Sequence, residues 1–212
     1  MTGHKQSFLK TYARLFCLAL LICVVAGCGG LKRPAVEKRH YDIRPERERQ
    51  ERVLQGVDLK VRRLQISPLY AGREMVFRNA DLSYASDYYN TWFVPPVDML
   101  SQGLRVWLDR SGLFAHVLEP SSVVGASLIL EGVVNSLYGD FSGEQPVAVA
   151  EMQFLLIDES TPHNDIVMTG DYGVRIPLAS TGPGDLALGL RQAVQEIFTQ
   201  LEKELARVLA AY

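Results

Sequence analysis

Leu186, Leu190, Val194, Ile197, Leu201, Leu205 and Val208 recur at three- and four-residue spacing near the end of the chain. That period places them on one stripe of a long amphipathic α-helix. A helix with a single apolar stripe has to bury it against another layer. The domain's own sheet is the expected cover, and a partner helix is the alternative. Asp185 suits the N-cap or the first turn, and Gly182-Pro183-Gly184 breaks the chain just before it.

The layer that receives this helix is legible upstream. Val57 to Ile66 alternates apolar and polar, with a slip between Val61 and Leu64, and Pro68 ends the run. Glu74 to Leu82 reads as a strand pair, or as a strand with a turn at Asn79-Ala80-Asp81. Tyr84 to Trp92 shows no clear period. Pro95-Pro96 opens a helix whose apolar positions are Val97, Leu100, Leu104 and Leu108, with Gly112 as its C′ residue. Phe114 to Leu118 is a short strand candidate. Ser127 to Val134 is a clear strand, and Tyr138 to Pro146 reads as the loop after it. Val147 to Ile157 is apolar enough to suggest burial on both faces. Asp165 to Ile176 is a third strand, in which Gly170 and Gly173 suggest bulges or close approach. The order strands, helix, strands, helix predicts one α/β domain with a small mixed β-sheet flanked by helices.

The front of the chain has a different character. Lys5, Lys10 and Arg14 precede an apolar run from Leu15 to Val25, and no acidic residue occurs before Cys28. This is the layout of a secretory signal. A spanning helix needs ~20 apolar residues, and the run is shorter than that. Val25-Ala26-Gly27-Cys28 resembles the lipobox of bacterial lipoproteins. The resemblance implies cleavage between Gly27 and Cys28, acylation of Cys28, and a body anchored outside the cytoplasm. An uncleaved short anchor is the competing reading. Gly29 stands where an aspartate tends to retain enterobacterial lipoproteins in the inner membrane, so the outer membrane, periplasmic side, is expected. The expected divisions are residues 1–27 as signal, 28–55 as a charged tether and 56–212 as the folded domain.

Cys17 and Cys23 belong to the signal and Cys28 to the anchor, so the body has no thiol for a disulfide, a zinc site or a nucleophile. From Lys32 to Arg52 there are eight Lys/Arg and five Asp/Glu, whereas from Val53 onward eleven basic residues face nineteen acidic ones. The basic stretch therefore lies beside the anchor. It reads either as a solvated tether or as a stretch drawn to anionic headgroups. An acidic body does not suit nucleic acid.

An ordered set of features carries a family resemblance. It runs through Leu64-Gln65-Ile66-Ser67-Pro68, Leu69-Tyr70, Arg73 to Arg78 and Leu82-Ser83-Tyr84, then Trp92, Pro95-Pro96, Leu108 and Ser111-Gly112-Leu113-Phe114. Leu128 to Asp140 and Ala148 to Leu156 extend it. In this set the chain resembles the auxiliary lipoproteins of ABC-type transport systems. One departure is Asn90-Thr91 before Trp92, where a basic residue is common. The resemblance implies a fold similar to the N-terminal domain of TolB. It also implies a non-catalytic role beside an MCE-type lipid-transport system, with an MCE-domain protein and its ABC permease and ATPase as partners. The alternative is an envelope scaffold or regulator in wall synthesis or secretion.

The residues themselves point away from catalysis. His4, His40, His116 and His163 lack helical ligand spacing, and no HExxH, GxSxG or Walker A motif occurs. His163 with Asp165 is a conceivable ligand pair, but a solvated turn is the simpler reading. Asp140, Glu144, Asp158 and Glu159 show no paired acid/base pattern. No catalytic residue, metal site or cofactor is therefore expected. The expected partner surface is Tyr88, Tyr89, Trp92 and Phe93, because aromatic side chains combine large contact area with a polar handle. The competing reading has Trp92 and Phe93 seating the helix that follows.

Overall fold

One thirteen-residue strand, Leu128–Asp140, organises the sheet. The computed structural model describes residues 37–50 and 56–211. The signal, Gly27, Cys28 and parts of the expected tether lie outside them. The strands are Arg39–Tyr41 (β1), Leu59–Val61 (β2), Gln65–Ile66 (β3), Glu74–Arg78 (β4), Tyr84–Trp92 (β5), Val117–Leu118 (β6), Leu128–Asp140 (β7), Val147–Asp158 (β8) and Asp165–Pro177 (β9). The helices are Pro96–Ser111 (α1) and Pro183–Ala211 (α2), with a 3-10 turn at Pro68–Tyr70. This is a mixed α/β domain with a long C-terminal helix.

Along one edge β7 pairs antiparallel with β8 from Leu128↔Asp158 to Asp140↔Val147. Its other edge is shared in series by three short parallel strands. Leu59 pairs with Leu128, Gln65 with Val133 and Phe77 with Gly139. The slip between Val61 and Leu64 is thus a real break between β2 and β3. β9 extends the meander beyond β8, while β5 and then β1 extend it beyond β4. β6 lies outside β2.

Both helices cover the same layer. Ala148, Ala150, Met152, Phe154 and Leu156 alternate along β8 and are buried, as are Leu130, Val134 and Leu137 opposite them. Leu186, Leu190, Val194, Ile197, Leu201 and Leu205 of α2 are each at 2% exposure or less. Each such burial is worth ~1.5–3 kcal/mol, so the stripe fastens the helix to its own sheet. At Gly189 the helix comes so close that a Cβ would lie 2.9 Å from that of Ala148. α1 joins α2 through Trp107, whose ring meets Phe198 edge-on at 6.0 Å. Gly112 ends α1 with φ 76°, in the left-handed region that favours glycine. Among the described residues no helix is long and apolar enough to cross a membrane.

Several elements differ from the sequence reading. Tyr84 to Trp92, without evident period, is a nine-residue strand. β7 runs on through Tyr138-Gly139-Asp140, which had the look of a loop, because β4 and β8 pair with those residues on both sides. Only Val117–Leu118 of the Phe114 segment is strand. Glu151 and Gln153 are exposed, so β8 is not buried on both faces throughout. A Cβ at Gly170 would collide with the Tyr172 ring, whereas Gly173 has ordinary space.

The charged stretch before residue 56 is also more than a tether. Arg39–Tyr41 adds a strand to β5, and Ile43 is fully buried. Arg44 and Pro45 then lie over Gly103 of α1. Further along, the amide of Gln50 donates to the carbonyl of Arg110 at 2.8 Å.

Candidate functional site

The expected aromatic surface sits where β5 departs from regular pairing. Met75 faces Asp87, but its neighbour Glu74 faces Thr91, so Tyr88, Tyr89 and Asn90 are extra residues on β5. Such an insertion bends a strand and turns side chains outward. The Asp87 carboxylate closes the excursion, accepting the amides of Tyr89 at 2.8 Å and Asn90 at 3.0 Å and the Asn90 side-chain amide at 2.7 Å. Tyr88 and Tyr89 emerge 66% and 45% exposed, their rings edge-to-face at 5.3 Å. Phe93, at 65%, lies beside them in sequence, its ring 6.2 Å from that of His40. The Lys38 ammonium stands 3.9 Å over the Tyr88 ring. Trp92 does not belong to this surface. It is 2% exposed, and its amide donates to the Arg73 carbonyl at 2.7 Å. The structure therefore brings Tyr88, Tyr89 and Phe93 to the surface and commits Trp92 to the core.

A second feature is a cleft of about 450 Å³ between residues 42–47, α1 and α2. Arg44 binds Asp42 and Gln102, and Arg47 pairs with Glu202 while lying 4.9 Å over the Trp107 ring. Glu202 also accepts the Trp107 indole N–H at 2.8 Å. Burial pushes the Asp42 carboxyl up, but hydrogen bonds from Arg44 outweigh it and leave the group lowered. This network clamps the N-terminal segment onto the helices.

The third feature lies on the sheet face turned away from the helices. Tyr138 and Asp140 are two residues apart on β7 and so share that face. Asp140 is 4% exposed. It accepts Arg78 Nη2 at 2.6 Å, Arg175 Nη2 at 2.9 Å and the Ser142 hydroxyl at 2.6 Å. Burial alone would raise its pKa, but the bonds from Ser142, Arg78 and Arg175 hold the carboxyl far below the usual carboxylate range. Tyr138 stacks on Tyr70 at 5.9 Å and meets Tyr84 edge-on at 5.8 Å. The Tyr70 phenol is driven upward by burial and by its two tyrosine neighbours. Acid/base work needs a group poised near the working pH. This cluster instead holds a fixed carboxylate, two fixed guanidiniums and a phenol that stays protonated. Sequence reasoning noted Asp140 only as a loop carboxylate. The same-face spacing of Tyr138 and Asp140 was the available signal.

Among the described residues, His40 and His116 have separate partners. His40 Nδ1 lies 2.9 Å from the Thr91 hydroxyl, and His116 Nδ1 lies 2.8 Å from Asp58. Among the described residues no three His, Cys, Asp or Glu side chains gather as a metal site.

A mixed sheet built on one long strand, with both helices on one layer and a C-terminal helix along the meander, defines a recognisable class of α/β domain. No protein-family profile and no curated protein matches the sequence. Among solved structures the chain is similar to protein XCC0632 from Xanthomonas campestris, of family DUF330. That match has 19% identity and a TM-score of 0.64, covering 74% of this chain and 90% of that one. DUF330 is the family of ABC-type transport auxiliary lipoproteins. The chain is also similar to an uncharacterized protein at 17% identity and TM-score 0.62, covering 80% and 99% of the two chains. A more distant likeness is the hypothetical protein CT253 from Chlamydia trachomatis, at 10% identity and TM-score 0.51 over 72% and 99%. At these identities the likeness establishes the fold.

Proposed function

We propose that this chain is a non-catalytic lipoprotein of the cell envelope and an auxiliary component of an ABC/MCE-type lipid transport system. It is anchored through Cys28 in the outer membrane, facing the periplasm, and docks the transport apparatus there. The observation that carries this reading is a fold similar to that of a DUF330 protein, following a segment with the order and spacing of a lipobox. The Asp140 carboxylate is taken up by Arg78, Arg175 and Ser142, which suits a structural role for that cluster. Fold alone does not determine function, so the partner is the point to test.

The test is a mild crosslink in cells producing C-terminally tagged protein, followed by detergent extraction, pull-down and mass spectrometry. An MCE-domain protein with its permease and ATPase is the expected catch. Wall-synthesis or secretion proteins in their place, with no MCE protein, would overturn the transport role and leave the anchor untouched.

A further inference from the structure

We propose that the corner formed by Lys38, Tyr88, Tyr89 and Phe93 rests on the phospholipid surface of the membrane that holds the anchor. This inference depends on the lipoprotein reading above and adds an orientation to it.

The covalent chain sets the first constraint. Ten residue steps separate Cys28 from Lys38. At ~3.3–3.6 Å per residue, the start of β1 lies no farther than ~36 Å from an acylated Cys28, however the link is arranged. Lys38 is also the residue whose ammonium covers the Tyr88 ring. The exposed aromatic corner therefore stands at the point where the domain meets its tether. A domain of this size is roughly 40 Å across. β6 lies on the same side of β7 but at its other end, joined through β2 beside Leu128, whereas β4 and β5 join beside Gly139.

The chemistry fits a lipid–water boundary. Tyrosine is enriched at that depth because its ring is apolar and its hydroxyl stays wet. Phe93 supplies a purely apolar insertion, and Lys38 offers a flexible cation whose stem can lie along apolar surface. The link contributes Lys32 and Arg33, and no acidic residue occurs between Cys28 and Glu37. Anionic headgroups would draw such a link toward the surface. The fold does not need these rings for its core, since Tyr88 and Phe93 are each about two-thirds exposed. Three extra residues and the Asp87 clasp serve to hold the tyrosines outward.

The body lacks thiols, which makes the experiment direct. Val94→Cys, beside Phe93, and Val123→Cys, in the loop after β6 and fully exposed, each place one reactive thiol in the acylated full-length chain. Each is labelled with an environment-sensitive fluorophore and reconstituted into vesicles of phosphatidylethanolamine and phosphatidylglycerol carrying a headgroup spin-labelled lipid. Flotation of the vesicles reports the anchor. The expected result is co-flotation of both proteins, with quenching at position 94 at least roughly twofold that at position 123, as for a segment lying in the interface. Combining Val94→Cys with Tyr88→Ser, Tyr89→Ser and Phe93→Ser should keep flotation and lower quenching to the level of position 123. Co-flotation with equal quenching at the two sites overturns the proposal, as does quenching that survives the triple substitution. Shielding of position 94 only on addition of an MCE-domain protein would assign the corner to a protein partner instead. Loss of flotation would overturn the anchor itself.

Discussion

Asp140→Asn gives the sharpest test of the electrostatics on the open sheet face. The substitution keeps the shape and removes the charge. With its oxygen kept toward Ser142, the new amide places its own N–H groups against Arg78 Nη2 and Arg175 Nη2, now 2.6 and 2.9 Å away. Two charge-assisted bonds become donor–donor contacts. Breaking a buried pair costs ~3–5 kcal/mol when the remaining charge is trapped. Here the Arg78 and Arg175 side chains are 29% and 55% exposed and can turn to water, which reduces the cost. The expected loss at pH 7 is ~2 kcal/mol, or ~4–8 °C in Tm for a domain of this length. Because folding depresses the Asp140 pKa, its contribution is present above the unfolded value of about 4 and is lost as pH falls below it. The gap between wild type and variant should stay constant from about pH 5 to 8 and close below about pH 4. Urea unfolding followed by the fluorescence of Trp92 and Trp107, both buried, measures it. A difference under ~0.5 kcal/mol at pH 7, or a gap that persists unchanged in acid, would refute the argument.

Ile43→Ala should cost ~2–4 kcal/mol in the same urea assay, because Ile43 is fully buried, whereas a residue in a solvated tether would cost almost nothing. Gly112→Ala should lower stability by about 1 kcal/mol, since φ 76° disfavours any side chain there, with helix content by circular dichroism unchanged below the transition.

The two helices were readable because their determinants are local. Pro95-Pro96 and Gly112 bracket α1, and the stripe from Leu186 to Leu205 needs only a period of 3.6 to be seen. What escaped depends on distant partners. Tyr138-Gly139-Asp140 carries turn residues, yet pairing with β4 and β8 outweighs that preference. β5 hides its alternation because Tyr88, Tyr89 and Asn90 interrupt it partway along. In the N-terminal segment the useful trace was Tyr41 and Ile43, two apart amid charged residues, which was too short to outweigh the composition around it. Of the expected aromatic surface, exposure held for Tyr88, Tyr89 and Phe93. Trp92, next to Phe93 in sequence, is buried because its side chain turns to the helix-covered layer.

The serial arrangement along β7 has a consequence for the order in which the protein matures. β2, β3 and β4 lie some sixty residues ahead of their common partner, and they have no complete sheet to join until Leu128–Asp140 has been delivered. Long-range parallel pairing of this kind folds slowly, and its unpaired edges stay open to wrong neighbours in the meantime. In the lipoprotein reading proposed above, a chain exported amino end first would present its anchor long before it has a body. Between those events the front half remains an unfinished edge, dependent on chaperoning or on speed.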